Sequence, residues 1–220
     1  VDESGGTIFF TGTKDGYTEK HLYKMSLGGE SVEKVTSESG IHNVLINVKA
    51  NLFVDVFNCL SSPPKVVLRS LGNNYEVEVV IHESKDERID RYQLEPPEIF
   101  GLRLQDGTEL SGAIYYPNSD EFKAPYPTLL SVYGGPHVQL VTNSWIMTAS
   151  LRAQYLRNKG YLVVVVDSRG SSRRGLQFES PIKNLMGNVE VEDQSFALNY
   201  LIEEGIADKE RLGVYGWSYG

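Results

Sequence analysis

The last five residues, Gly216-Trp217-Ser218-Tyr219-Gly220, fit the pattern Gly-x-Ser-x-Gly. They run straight on from Arg211-Leu-Gly-Val-Tyr215, which reads as a strand. A serine on a sharp turn leaving a strand holds its hydroxyl clear of the sheet. Glycines are needed beside it because a Cβ there would collide with a neighbouring strand or helix. The amide of the next residue, Tyr219, then points to where an oxyanion develops when Ser218 attacks a carbonyl. The chemistry implied is acyl transfer with Ser218 as nucleophile.

A hydroxyl attacks an amide only with a histidine to take its proton and a carboxylate to orient that histidine. In folds built around this turn the chain order is serine, acid, histidine. All four histidines here, His21, His42, His82 and His137, precede Ser218. The first three read as surface or strand residues and His137 as a loop residue near the site mouth. The acid and the base are therefore expected beyond Gly220. Val1 is not a methionine and the chain stops inside a motif, so the expectation is a piece cut at both ends.

A second patch, Val132-Tyr133-Gly134-Gly135-Pro136, closes another strand. Its tyrosine phenol is a candidate second donor to the oxyanion, at a strand end where such sheets gather ligand-binding groups. Glu203-Glu204 and Arg173-Arg174 read as a solvated helix end and a solvated loop.

Two kinds of element position these residues. From residue 1 to about 95 the chain alternates short strands with turns: Thr7–Thr13, His21–Leu27, Asn43–Val48, Leu52–Phe57, Lys65–Leu71 and Glu76–Ile81. That spacing suits antiparallel sheets such as propeller blades. A charged linker, residues 83–90, leads to Glu95-Pro-Pro97 and a boundary between 1–95 and 96–220. Beyond it, Glu98–Leu104 and Glu109–Tyr116 flank Asp106-Gly107 as a hairpin. Strands at Pro127–Tyr133, Leu162–Val166 and Arg211–Tyr215 then alternate with helices. The first, Ser150–Lys159, should bury Leu151, Tyr155 and Leu156; the second runs from Val189 to Glu204 and stops at Gly205. This is the alternation of a doubly wound α/β sheet.

The chain has 220 residues, 40% hydrophobic and 23% charged, the balance of a folded protein. With 21 Lys+Arg against 29 Asp+Glu its net charge is −8, which argues against a nucleic-acid partner. A lone cysteine, Cys59, excludes an internal disulfide and a zinc site built from cysteines. There is no Asn-x-Ser/Thr site, and the apolar run Tyr161–Val166 is too short to span a bilayer. A reducing, cytoplasmic setting fits these features. No metal or cofactor is expected.

The ordered motifs carry a resemblance. Tyr-Gly-Gly-Pro-x-x-Gln from Tyr133, Asp-x-Arg-Gly-Ser from Asp167, Lys-Asn-x-Met-Gly-x-Val-Glu-x-Glu-Asp-Gln from Lys183 and Gly-Trp-Ser-Tyr-Gly resemble the prolyl oligopeptidase family, and within it the cytosolic dipeptidyl peptidases. The resemblance implies the last blades of a β-propeller followed by the first part of an α/β hydrolase. It implies Ser218 as nucleophile, the Tyr133 phenol and Tyr219 amide as oxyanion hole, and a substrate pocket lined by Tyr219, with Trp217 buttressing the turn. Arg169, Glu190, Glu192 and Asp193 would hold loops together. The implied activity is release of amino-terminal dipeptides after Pro or Ala, from peptide substrates, by a homodimer. An acylaminoacyl peptidase or esterase on the same fold is the alternative, and a non-catalytic interaction protein a further one. The glutamates that bind the substrate amino terminus would lie before Val1. The segment alone should be inactive for want of a histidine after Ser218, and marginally folded because the strands beside Tyr215 and the neighbouring blades would be missing.

Overall fold

The computed structural model of the chain describes residues 1–29 and 31–220. It divides into two compact units, Val1–Gln93 with Thr142–Ile146, and Leu94–Val141 with Met147–Gly220.

The first unit holds two antiparallel sheets. β1 (Thr7–Gly12), β2 (His21–Ser26) and β3 (Val32–Lys34) form one in that order. β4 (Ile41–Asn47), β5 (Leu52–Cys59), β6 (Ser62–Ser70) and β7 (Val77–Glu83) form the other, again in chain order. Strand alternation sets the inside: Phe53, Asp55 and Phe57 of β5 are buried and their neighbours are less so. β6 begins earlier than its apolar run predicts, taking in Pro63 and Pro64. The register shifts there, from Phe57 opposite Lys65 to Cys59 opposite Ser62, so neither proline has to donate to the ladder. The residues expected to form a charged linker include a one-turn helix, α1 (Glu87–Tyr92). Asp86 caps its first turn by accepting from Arg88 N, and Gln93 ends it in a left-handed conformation.

Thr142–Ile146 belongs to this unit through Asn143. Its amide nitrogen donates to Glu19 Oε1 at 2.9 Å and Ser39 Oγ at 2.8 Å, and its Oδ1 accepts from Leu60 N at 3.1 Å.

In the second unit β8 (Glu98–Arg103) and β9 (Glu109–Tyr115) make the expected hairpin, with Gly107 at φ +86° in its turn. β10 (Tyr126–Val132) follows, then α2 (Trp145–Thr148), α3 (Leu151–Arg157), β11 (Leu162–Asp167), α4 (Leu176–Glu179), α5 (Val189–Glu203) and β12 (Ala207–Gly216). The sheet is mixed, in the order β12-β10-β11-β9-β8, with parallel pairing on both sides of β10 and antiparallel pairing beyond β11. All of β11 is buried; Leu162, Val164 and Val166 share a core with Ala197 and Leu201 of α5. Burying each such side chain stabilises the fold by roughly 1.5–3 kcal/mol. α5 ends in two bonds, Ile206 N to Leu201 O and Gly205 N to Ile202 O, with Gly205 at φ +69°.

One helix face differs from expectation. In α3, Leu151 and Tyr155 are about three-fifths exposed, and Ala153 and Gln154 are the buried pair. Gln154 can be buried because its Nε2 donates to Glu95 O and Thr148 O.

The chain leaves β10 for β11 on one side and returns to β12 on the other. That reversal opens a crevice at the carboxyl ends of β10 and β12.

Candidate active site

Val132 of β10 pairs with Gly216 of β12, so the Tyr133 loop and the Gly216–Gly220 turn leave the sheet side by side. Ser218 sits at φ +63°, a left-handed conformation that costs a non-glycine residue on the order of 1–3 kcal/mol. The turn is closed by Gly220 N donating to Trp217 O at 3.1 Å. Both glycines are sterically required. A Cβ on Gly216 would stand 2.3 Å from the Gly220 carbonyl carbon, and one on Gly220 would stand 2.1 Å from Val132 O. The last glycine therefore lies directly on the peptide that leads into Tyr133.

The rings of Tyr133 and Tyr219 stand 6.1 Å apart. Gly135 separates them, since a Cβ there would come within 2.8 Å of Tyr219 Cγ and 2.9 Å of Tyr133 Cε1. Among the described residues, the Ser218 hydroxyl, the Tyr133 phenol and the Tyr219 amide have no hydrogen-bond partner. One hydroxyl, one phenol and one amide N–H are thus left free around one strand end. Trp217 is 82% exposed, on the solvent side of the turn.

Residues that sequence reasoning read as loop-holders surround this cluster. Glu190, in the first turn of α5, accepts from Tyr219 Oη at 2.5 Å and Gly187 N at 2.6 Å. Burial pushes the Glu190 carboxyl up, but these bonds outweigh it and hold the group below its ordinary value; the same bond raises the Tyr219 phenol. Asp193 takes Arg169 in a fork, at 2.7 Å from Nη2 and 3.1 Å from Nε. Gln194 Nε2 donates to Val166 O at 2.9 Å. Asp167, at the end of β11, accepts from Leu140 N at 2.8 Å and Val141 N at 2.9 Å, and so ties down the loop after Tyr133. Arg174 stacks on the Phe178 ring at 3.8 Å and donates to Glu109 O, so it is a packed residue as well as a loop cation. Glu203 and Glu204 are exposed at the end of α5.

No described histidine bonds to Ser218. His137, at φ +62°, is 84% exposed and lies 3.6 Å from Glu179 Oε2. His82 is exposed on β7. His21 and His42 are strand residues but not surface ones. Each is fully buried, because each ring nitrogen meets a polar partner in the first unit.

Two family models match the chain. Residues 147–220 match the prolyl oligopeptidase family, and residues 1–64 match the dipeptidyl peptidase IV N-terminal region. Dipeptidyl peptidase 8 of Mus musculus is 35% identical over 229 residues, and that of Homo sapiens 36% over 230, in each case across the whole chain. Over residues 147–220 the chain is thus similar to the prolyl oligopeptidase family. A probable dipeptidyl-aminopeptidase B of Aspergillus terreus is 27% identical over 224 residues, again across the whole chain. The chain spans about a quarter of the length of these curated relatives (25%, 25% and 24%). Sequence reasoning gave Glu190 no role at the site. The signal available was the spacing Glu190, Asp193, Gln194, which puts three polar groups on the inward face of one helix. Among the described residues no group of three or more His, Cys, Asp or Glu is placed to hold a metal, and no helix is long and apolar enough to cross a membrane.

Proposed function

We propose that the protein carrying this chain is a serine-type dipeptidyl peptidase that acts through an acyl-enzyme on Ser218. The carrying observation is Ser218 at φ +63° between two glycines that admit no Cβ, beside two unengaged donors. In this reading β8–β12 with their helices are the opening part of an α/β hydrolase, 96–220, and the sheets of 1–95 are propeller blades. Ser218 Oγ attacks the carbonyl carbon of the substrate's second residue and gives up its proton to the base. The peptide bond breaks, the rest of the peptide leaves as an amine that takes that proton, and the dipeptide stays as an ester on Ser218. The developing oxyanion accepts from Tyr133 Oη and Tyr219 N, the Tyr219 ring lines the pocket, and Trp217 meets the substrate or packs on the turn. Water then releases the dipeptide.

Proline or alanine at the second position, a homodimer and a cytoplasmic setting are carried by the family likeness alone. The geometry gives no base to Ser218, so the 220 residues by themselves are expected to be inactive, and the histidine–carboxylate pair is assigned to the part of the relatives' length that this chain does not span.

The test uses the full-length polypeptide. Ser218→Ala should abolish labelling by a fluorophosphonate and lower turnover of a glycyl-prolyl substrate by orders of magnitude. Labelling that survives the substitution overturns the assignment.

A further inference from the structure

We propose that Glu190 is the positioning residue that aims both oxyanion donors, a role that rests on the peptidase reading above. Its stem and its carboxylate each hold one of the two loops. A Cβ on Gly134 would lie 3.3 Å from Glu190 Cγ, so the stem fills the space against the backbone next to Tyr133. Its Oε1 takes the phenol of Tyr219, whose own amide is the second donor. Fixing that ring fixes the peptide plane to which it is attached.

The side chain is otherwise poorly explained. Holding the turn before α5 needs only the bond from Gly187 N. Glu190 is 5% exposed, yet its Oε2 has no partner among the described residues. It lines a cavity of about 520 Å³ shared with Tyr133, Tyr219 and Gly220. An unpartnered buried carboxylate oxygen is costly, and the bond to Gly187 alone does not require it. A group that must brace two loops at once does, because the phenol bond to Oε1 and the Gly134 backbone against its stem set its orientation and leave Oε2 over. Donors stabilise an oxyanion when they stand about 2.7–3.1 Å from it, a narrow range that needs both loops fixed.

The experiment measures kcat and KM of the full-length polypeptide on a glycyl-prolyl substrate, with fluorophosphonate labelling alongside. Glu190→Ala should lower kcat by about 10–100-fold, the loss that a small misplacement causes, with KM within about twofold. Tyr219→Phe, which deletes only the hydroxyl, should lose a similar amount. The double variant should be no worse than the worse single one, because both break the same link. Glu190→Gln should recover most of the loss, since its amide oxygen still accepts from the phenol.

A raised KM with unchanged kcat, or losses that multiply in the double variant, overturns the proposal. If Glu190→Ala fails to fold, Tyr219→Phe decides: wild-type kcat in that variant overturns it. Absence of labelling at Ser218 in the wild type instead removes the peptidase reading itself.

Discussion

In the first unit the His42–Asp55 pair has no hydroxyl on its free side, whereas in the second, among the described residues, the serine turn at Ser218 has no histidine bonded to it. His42 Nδ1 lies 2.8 Å from Asp55 Oδ2, which by residue type and distance is two-thirds of a proton relay. Its Nε2 is 2.8 Å from Glu38 O. Both ring nitrogens are thus engaged within the cluster, and neither faces a hydroxyl. Arg69 closes the cluster, with Nε 3.1 Å from Asp55 and Nη2 2.8 Å from both oxygens of Glu38. The Ser218 hydroxyl, the Tyr133 phenol and the Tyr219 amide present the opposite condition, groups held in place with their hydrogen-bonding capacity unspent. Acid and base side chains with no capacity left can only hold a structure together; on the proposed reading, free capacity at a strand end is what serves chemistry.

The largest expected effect separates the two regions by stability. His42→Ala removes a fully buried ring that packs against His21 and Phe57 at 5.1 and 4.8 Å, and takes one partner from buried Asp55. Emptying the site and leaving a buried charge short of partners should cost about 3–5 kcal/mol. Urea unfolding read by hydrogen exchange at β4–β6 measures it. A variant of unchanged stability but reduced turnover would erase the contrast, because it would make His42 a chemical group.

Tyr133→Phe sharpens the comparison from the other side. The phenol makes no bond among the described residues, so its loss should leave the fold intact. If it donates to the oxyanion, kcat should fall by about 10²–10³, or roughly 3–4 kcal/mol in the barrier, with KM little changed. Wild-type kcat would show that the Tyr219 amide suffices.

Much of this arrangement is legible in the sequence where local rules decide it. The turn at Ser218 is readable because Gly216 and Gly220 are dictated by contacts within a few residues and with one adjacent strand. The hairpin is readable from Asp106-Gly107, and α5 from its apolar positions and Gly205. The illegible parts share a different cause. β3 is three residues long and exists through pairing with Tyr23–Met25, too short to show a period. α1 buries nothing and rests on its two caps. The buried face of α3, the inward Glu190, Asp193 and Gln194, and buried His21 and His42 all place polar groups inside. Hydrophobic periodicity is blind to burial satisfied by hydrogen bonds. Asn143, which binds Thr142–Ile146 into the first unit, reaches Glu19 over 124 positions, a distance at which no local pattern speaks.

The smallest expected effect concerns how each region compensates a buried carboxylate. Asp55 has Arg69 as a cationic partner; Asp167 is held by two neutral amides, with the Arg174 charge a lesser influence. Burial raises the Asp167 pKa to about 6, and the Leu140 and Val141 amides pull it down without prevailing. Its ordinary value is 3.8. Between these limits the folded chain keeps a proton that the unfolded chain has released. Stability is therefore greatest below about pH 4, falls as pH rises to about 6, and is level above that, a total of roughly 2–3 kcal/mol. Glu190 has the opposite sign, its contribution being present above its ordinary value and lost as pH falls. The two can be separated with Asp167→Asn, which cannot titrate. Its amide oxygen can replace only one of the two acceptor oxygens, an offset independent of pH. The stability of wild type minus variant, from unfolding at pH 4, 5, 6 and 7, should decline through the first three points and then flatten. A difference that stays constant would mean that the amides alone compensate the charge, and that neutral donors serve a buried carboxylate as well as Arg69 serves Asp55.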